Sequence, residues 1–254
     1  MHNAALAALG MHDWRYQLLP VPPERFLETV RALPDAGFVG ANVTIPHKHA
    51  ALALADTAGE GTRAIGAANT LMLAADGTIA AENTDAPGFL DALGVSPRGM
   101  SALVLGAGGS ARAVVWALRE AGAREVAVWN RTPERAAELA RELGVCTAAV
   151  PGTADLLVNC TSVGLEAEPT SLKQSATAAR GLNLPAVTFD QVGNYSHVVD
   201  LVYRSSPTPL LAAARSHGAH VVSGLEVLLA QGALSFELWT GIHPPLEVMR
   251  SALD

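Results

Sequence analysis

The sequence predicts an α/β protein in two parts, a mixed α/β unit joined to a doubly wound parallel sheet, and three observations carry that expectation. From residue 101 to 161, apolar strand-like runs alternate with helical ones: "SALVLGAGGSARAVVWALREAG", "EVAVWN", "TPERAAELARELG" and "ADLLVNCT". Strands separated by single helices run parallel through right-handed crossovers. Before the turn "SPRG" at 96–99 the rhythm differs, with short helical runs and a hairpin signal. Finally, 254 residues, half of them apolar, suffice for one large domain or two modest ones.

In chain order, residues 4–9 suit a helix, and "RYQLL" at 15–19 reads as a short strand stopped by Pro20. Residues 22–33 carry proline at the start, acidic residues in the first turns and Phe26, Leu27 and Val30 on one face, which is a helix signature. A strand is expected at 37–44, a helix from Pro46, and a hairpin in which "TLML" and "GTIA" flank the turn at 74–77. In the second half, 101–122 holds a strand, a glycine turn and a helix. Strand 125–130, helix 132–144 and a strand at 154–161 follow. Residues 166–192 carry no assignable pattern. Beyond them, 197–203 reads as a strand, with helices around 209–217, 225–239 and 245–252.

Composition excludes several functions. A net charge of −7 with acidic residues spread along the chain argues against nucleic acid or an anionic membrane as partner. Cys146 and Cys160 are too few for a disulfide framework and lack zinc-site spacing, so a reducing, cytoplasmic location is expected. The opening "MHNAALAALG" has no basic region ahead of it and is broken by polar residues, so it is not read as a signal peptide. No run of about eighteen uninterrupted apolar residues reads as a membrane span. His47 and His49 flank Lys48 but face apart on a helix, so no metal site is expected. Neither a nucleophile elbow nor a P-loop is present.

The glycine turn is the first chemical signal. "GAGGSA", Gly106 to Ala111, follows an apolar strand and opens a helix, the context a dinucleotide-binding turn needs. Gly106 permits the turn, Gly108 lets backbone amides approach a pyrophosphate, and the helix N-terminus adds partial positive charge. This makes the second part Rossmann-like. At the end of the next strand an NAD site would carry a carboxylate, whereas "NRTPER" places Asn130, Arg131, Thr132 and Arg135 there. Two guanidiniums and a hydroxyl suit a 2′-phosphate, so NADP(H) is the expected cofactor. The competing reading is a solvated helix start with surface arginines.

A nicotinamide needs a substrate site, and "NVTIPHK" with the two Asn-Thr pairs of "AANTL" and "ENTDAPG" offers donors and acceptors for a polyhydroxylated ligand. Lys48 and Asp85 could move a proton there as hydride moves. By spacing alone, however, Lys48 is simply an exposed helix lysine, and Asn69, Thr70, Asn83 and Thr84 are likewise turn residues. Gln231 lies in the apolar run "GLEVLLAQGALSFELW", which by its spacing is core.

Taken in order, "NVTIPHK", "GAANTL", "NTDAPGF", "LGAGGSARA", "NRTPERA", "NCTSVGL", "DLVY", "TPLL" and "GLEVLLAQGALSFELWTG" strongly resemble the shikimate dehydrogenase family from residue 1 almost to the end. The resemblance implies reversible NADPH-dependent reduction of 3-dehydroshikimate to shikimate, in the pathway to aromatic amino acids. It implies Lys48 and Asp85 as the catalytic pair, with Thr44, Asn69, Asp85, Tyr203 and Gln231 around the substrate. It also implies cofactor contacts from Gly106, Ala107, Gly108, Gly109, Asn130, Arg131, Thr132 and Arg135, with Gly224 near the nicotinamide. The implied plan is a substrate-binding domain of residues 1–86 and 225–254, a nucleotide domain of 87–224 inserted between, and a cleft where they meet. The implied assembly is a monomer or homodimer. Two other functions stay open: a broader quinate/shikimate dehydrogenase, and an inactive NADP-binding module.

The chain departs from the family at its beginning. There the family has a strand and a turn "G-x-P-x-x-H-S-x-S-P" whose serines hold the substrate carboxylate. Their absence here makes residue 1 resemble an internal position, with the expected start upstream and a bared sheet edge or a void in this structure. Smaller departures are Val227 for methionine, Ala81 for glycine and Ser205 for proline.

Overall fold

The computed structural model describes residues 1–150, 152–163 and 187–253, so most of the unassigned stretch at 166–192 lies outside the described residues. Its first elements are α1 (His2–Ala8), a 3₁₀ turn (Pro23–Arg25), α2 (Phe26–Ala32), β1 (Gly40–Asn42), α3 (Lys48–Leu54), β2 (Thr57–Ala58), α4 (Glu60–Ile65), β3 (Thr70–Leu73), β4 (Ile79–Glu82) and α5 (Asp85–Leu93). There follow β5 (Ser101–Leu105), α6 (Gly109–Glu120), β6 (Glu125–Trp129), α7 (Pro133–Leu143), β7 (Cys146–Thr147) and β8 (Leu156–Asn159). The last are α8 (Phe189–Val192), β9 (His197–Asp200), α9 (Pro209–Ser216), β10 (His220–Ser223), α10 (Gly224–Thr240) and α11 (Leu246–Ser251). The chain divides into two compact units, Met1–Gly88 with Leu229–Asp254, and Phe89–Leu228. Both divisions fall inside helices, α5 and α10, where sequence punctuation gives no signal. The boundaries read from the sequence therefore differ from them by a few residues.

The first unit holds a sheet of order β1-β3-β4-β2, in which β1–β3 and β3–β4 are antiparallel and β2 joins β4 in parallel. The expected hairpin is the β3–β4 pair, with Leu71 facing Ala41 and Ala81 in register. Phe26, Val30, Leu33, Val43, Leu71 and Ile79 fill one core. Ala5 and Leu6 of α1, Leu229, Ala233 and Phe236 of α10, and Met249 of α11 fill another. Each fully buried large apolar side chain contributes roughly 1.5–3 kcal/mol. The C-terminal helices thus belong to the core laid down by the N-terminal residues.

In this unit the expected strand at 15–19 does not form. Asn3 occupies both backbone groups of Tyr16, its Nδ2 donating to the carbonyl at 2.8 Å and its Oδ1 accepting from the amide at 2.8 Å. Leu18 is 89% exposed, so alternation there reflects no buried face. β1 is an edge of its sheet, and a cavity of about 540 Å³ lies beside it, reached by Tyr16, Gly40 and Trp239. The helix expected from Pro46 starts at Lys48, because the His47 amide closes a turn onto Thr44 O first.

The second unit holds the expected parallel sheet, of order β10-β9-β8-β5-β6-β7. Val104 lies opposite Val128 on one side and Val158 on the other, and all three are fully buried. Continuous apolar runs of this kind mark strands covered on both faces. The short strands β2, β7 and β10 and the helices α4 and α5 were not expected from periodicity, since they are too brief or too mixed to show any. Among the described residues no helix is long and apolar enough to cross a membrane.

Candidate active site

Lys48 stands at the first residue of α3 and is 6% exposed, so it is not a surface helix lysine. Three local features hold it there. His47 stacks on Phe26 with ring centroids 4.4 Å apart, its Nε2 lies 2.8 Å from Val21 O, and the Ala68 amide donates to Lys48 O at 2.9 Å. Asp85 opens α5, whose start is fixed by Asn83: the Asn83 Oδ1 accepts from the Ala86 amide at 3.1 Å, and its Nδ2 donates to Ala67 O at 2.8 Å. The result is an ion pair in which Lys48 Nζ donates to Asp85 Oδ2 at 2.6 Å, with side chains 8% and 15% exposed. Burying such a pair costs desolvation, which is recovered only when the remaining lone pairs are also satisfied.

Asn69 satisfies them. It is 2% exposed, and its Nδ2 donates to Asp85 Oδ1 at 2.9 Å, to Thr84 Oγ1 at 2.9 Å and to Gln231 Oε1 at 3.1 Å. The orientation of this amide is not arbitrary: the Thr84 backbone amide donates to its Oδ1 at 2.7 Å, and a backbone N–H can only donate. Gln231 reaches the site because α5 approaches α10 closely at Gly88, where a Cβ would stand 2.6 Å from the Gln231 backbone nitrogen. Lys48, Asp85, Asn69 and Gln231 are therefore one hydrogen-bonded group. Thr44 is exposed on the turn four residues ahead of Lys48, and Tyr203 is 50% exposed in the second unit.

Behind that group lie residues the sequence reading missed or read as turn residues. Ser235, fully buried, is within 3.0 Å of Thr70 Oγ1 and 3.2 Å of Thr84 Oγ1, and it accepts from Asn42 Nδ2 at 2.8 Å. Tyr16 donates its hydroxyl to Asn42 Oδ1 at 3.1 Å. The one signal for Ser235 was its place four residues after Gln231 in an apolar helix, hence on the same face.

In the second unit the glycine turn has the geometry its motif requires. Gly106 has φ +112°, and a Cβ there would meet the Cys160 carbonyl at 3.1 Å. Gly108 is extended, with nothing within 4 Å of where a Cβ would stand, and Gly109 begins α6 with no side-chain cap on its amides. Ala107 lies between them. After β6, Asn130 donates to Thr132 O at 2.9 Å, and Arg131, Thr132 and Arg135 are exposed around the start of α7. No carboxylate ends this strand, while two guanidiniums flank it. An open backbone cradle and a cationic rim fit NADP(H) rather than NAD.

Under the turn, Asp200 accepts from Asn159 Nδ2 at 2.8 Å, Thr208 Oγ1 at 2.6 Å and the Val202 amide at 3.2 Å. Burial pushes its carboxyl above the usual range, against these three bonds. Gly224 starts α10 where a Cβ would sit 2.5 Å from Val202 O, so close packing alone demands glycine there. Among the described residues no group of three or more His, Cys, Asp or Glu side chains is placed to hold a metal ion.

Known proteins resemble the chain over nearly its whole length. Residues 1–71 match the shikimate dehydrogenase substrate binding domain, 93–160 match the shikimate / quinate 5-dehydrogenase family, and 224–253 match the shikimate 5′-dehydrogenase C-terminal domain. The chain is 47% identical to the shikimate dehydrogenase (NADP(+)) of Methylobacterium radiotolerans over 96% of its own length and 86% of that protein's. It is 43% identical to the one from Methanopyrus kandleri, over 100% and 89%. The crystal structure of shikimate 5-dehydrogenase from Thermus thermophilus in complex with NADP(H) and shikimate matches at TM-score 0.84 and 41% identity, covering 99% of this chain and 91% of that one. With matches of this extent, the chain belongs to the shikimate dehydrogenase family.

Proposed function

We propose that Lys48 and Asp85 are the acid–base pair of an NADP-dependent shikimate dehydrogenase, which reduces 3-dehydroshikimate to shikimate in aromatic amino acid biosynthesis. NADPH, when bound, supplies the hydride that the carbonyl carbon accepts. Lys48 Nζ donates the proton that the developing alkoxide oxygen needs, and Asp85, fixed from its other side by Asn69, holds the ammonium in place. Asn69 and Gln231 hold and orient ring hydroxyls, with Thr44 and Tyr203 as further substrate contacts. Gly106, Ala107, Gly108 and Gly109 would seat the pyrophosphate, Asn130, Arg131, Thr132 and Arg135 the 2′-phosphate end, and Gly224 would lie by the nicotinamide. A cytoplasmic location is in keeping with Cys146 and Cys160 as thiols.

The observation that carries this reading is the buried Lys48–Asp85 pair at 2.6 Å, braced by an amide whose orientation is fixed. Replacing Lys48 by alanine is expected to lower kcat by about 10²–10⁴, while NADPH binding, followed by quenching or calorimetry, stays unchanged. Full turnover in that variant, or a large loss of NADPH affinity instead, rejects the assignment. The oxidative direction needs Lys48 to shed its proton before it can accept one. Lys48→Ala is therefore expected to flatten the pH dependence of shikimate oxidation, and a profile of unchanged shape in that variant would contradict the role.

A further inference from the structure

We infer that Ser235 is a positioning residue for this reaction, setting the direction of the hydrogen bonds that hold Asn69 against Asp85; the inference rests on the acid–base reading above. Ser235, Thr70 and Thr84 form a triangle of buried hydroxyls, with edges of 3.0, 3.1 and 3.2 Å. Three hydroxyls so close could pass their protons in either sense, leaving the donor pattern undecided. Each has a neighbour that can only accept, and that of Ser235 is the nearest. It is the Gln231 carbonyl one turn earlier in α10, 3.0 Å away, against 3.3 and 3.2 Å from Thr70 and Thr84 to Asn69 Oδ1. With its single proton spent there, Ser235 has two lone pairs to offer, one to Asn42 Nδ2 and one to Thr84 Oγ1, while Thr70 gives its own proton to Asn69 Oδ1.

That choice propagates. Thr84 gives its proton to Ser235, and its oxygen then accepts from Asn69 Nδ2 at 2.9 Å, while Asn69 also donates to Asp85 Oδ1. The hydrogen bonds run one way, from Asn69 through Thr84 and Ser235 to the α10 backbone. Without the Ser235 hydroxyl, Thr84 turns its proton to Asn69 Oδ1 at 3.2 Å, the nearer of the two acceptors that carry no proton of their own, Gln231 Oε1 standing at 3.5 Å. Turned that way, it competes with the bond it should receive. The Asn69 amide loosens, and with it the brace on Asp85. Ser235 touches no carboxylate or ammonium itself, so its effect on chemistry passes through Asn69.

The test compares Ser235→Ala and Ser235→Thr with the parent chain. Alanine is expected to lower kcat about tenfold, on the scale of one buried hydrogen bond, with the NADPH dissociation constant within about twofold. Threonine, which keeps the hydroxyl and can bond one turn back, is expected to restore kcat. The Asn69 side-chain amide protons, followed by NMR exchange, should lose protection in the alanine variant only, a readout independent of turnover. Unchanged protection overturns the proposal, as does lost protection with parental kcat. Equal losses of kcat, binding and melting temperature in both variants mark a packing role and overturn it too. Should the alanine variant not fold, Ser235→Cys keeps the volume while weakening the bonds, and the same outcomes decide. If Lys48→Ala retains full turnover, the acid–base reading fails by itself, and amide protection still decides on Ser235.

Discussion

Lys48 and His2 are polar residues that a count of apolar positions would leave on the surface, yet both are buried and each is held by a specific partner. For Lys48 the partner is Asp85, and the pair survives burial because Asn69 takes the carboxylate's other oxygen. His2 is 4% exposed, stacked on Tyr16 with centroids 4.3 Å apart, and its Nε2 lies 3.2 Å from Gly232 O. A carbonyl only accepts, so the ring donates there. Burial lowers its pKa from 6.5 to about 4. Between those values the unfolded chain takes up a proton that the folded chain refuses, so stability is full above about pH 6.5 and falls toward pH 4. The loss is on the order of 3 kcal/mol. Urea unfolding at a series of pH values is expected to show that slope, and His2→Gln is expected to flatten it. A slope unchanged in the variant would place the acid sensitivity elsewhere.

At the scale of elements, the hydrogen-bonded group around Lys48 and Asp85 depends on how closely two helices approach. Residues 85–88 of α5 lie against α10 at Gln231, and the space for a side chain at Gly88 is already taken by Gln231 backbone atoms. Gly88→Ala is therefore expected to destabilise the fold by about 1–3 kcal/mol and to displace Gln231, read as a lower unfolding midpoint with a raised KM for shikimate. Wild-type values for both would mean that the helices can separate without cost. The glycine turn poses a different constraint. Gly106→Ala puts a Cβ at positive φ and against Cys160, so NADPH affinity is expected to fall at least tenfold. The element that failed to form is equally instructive. Residues 15–19 alternate like a strand, but pairing is a property of two strands, and here the Tyr16 backbone is taken by the Asn3 side chain.

At the scale of the molecule, the two units differ in chemistry: buried hydroxyls, amides and the Lys48–Asp85 pair in the first, a parallel sheet with a glycine turn and exposed arginines in the second. An overall charge of −7 makes the cationic rim at Arg131 and Arg135 a local exception. Arg131→Ala with Arg135→Ala is expected to weaken NADPH by about one to two orders of magnitude while leaving NADH nearly unchanged, narrowing the preference between cofactors. A matching loss for NADH would show that the arginines act on something other than the 2′-phosphate.

By itself the sequence determined the periodic features: the parallel second half, the β3–β4 hairpin, the glycine turn, the arginines after β6 and the polar strings that hold Lys48, Asn69 and Asp85. These were legible because backbone geometry repeats every two or 3.6 residues and because tight turns restrict residue type. Only the tertiary structure decided which reading each polar residue takes, and for Lys48 it overturned the one that spacing favours. Lys48 became a buried half of an ion pair, Thr70 and Thr84 became parts of a hydroxyl triangle, and Ser235, far along the chain, became its third corner. The physical reason is that a hydrogen bond or an ion pair depends on distance and direction between groups, and separation along the chain encodes neither.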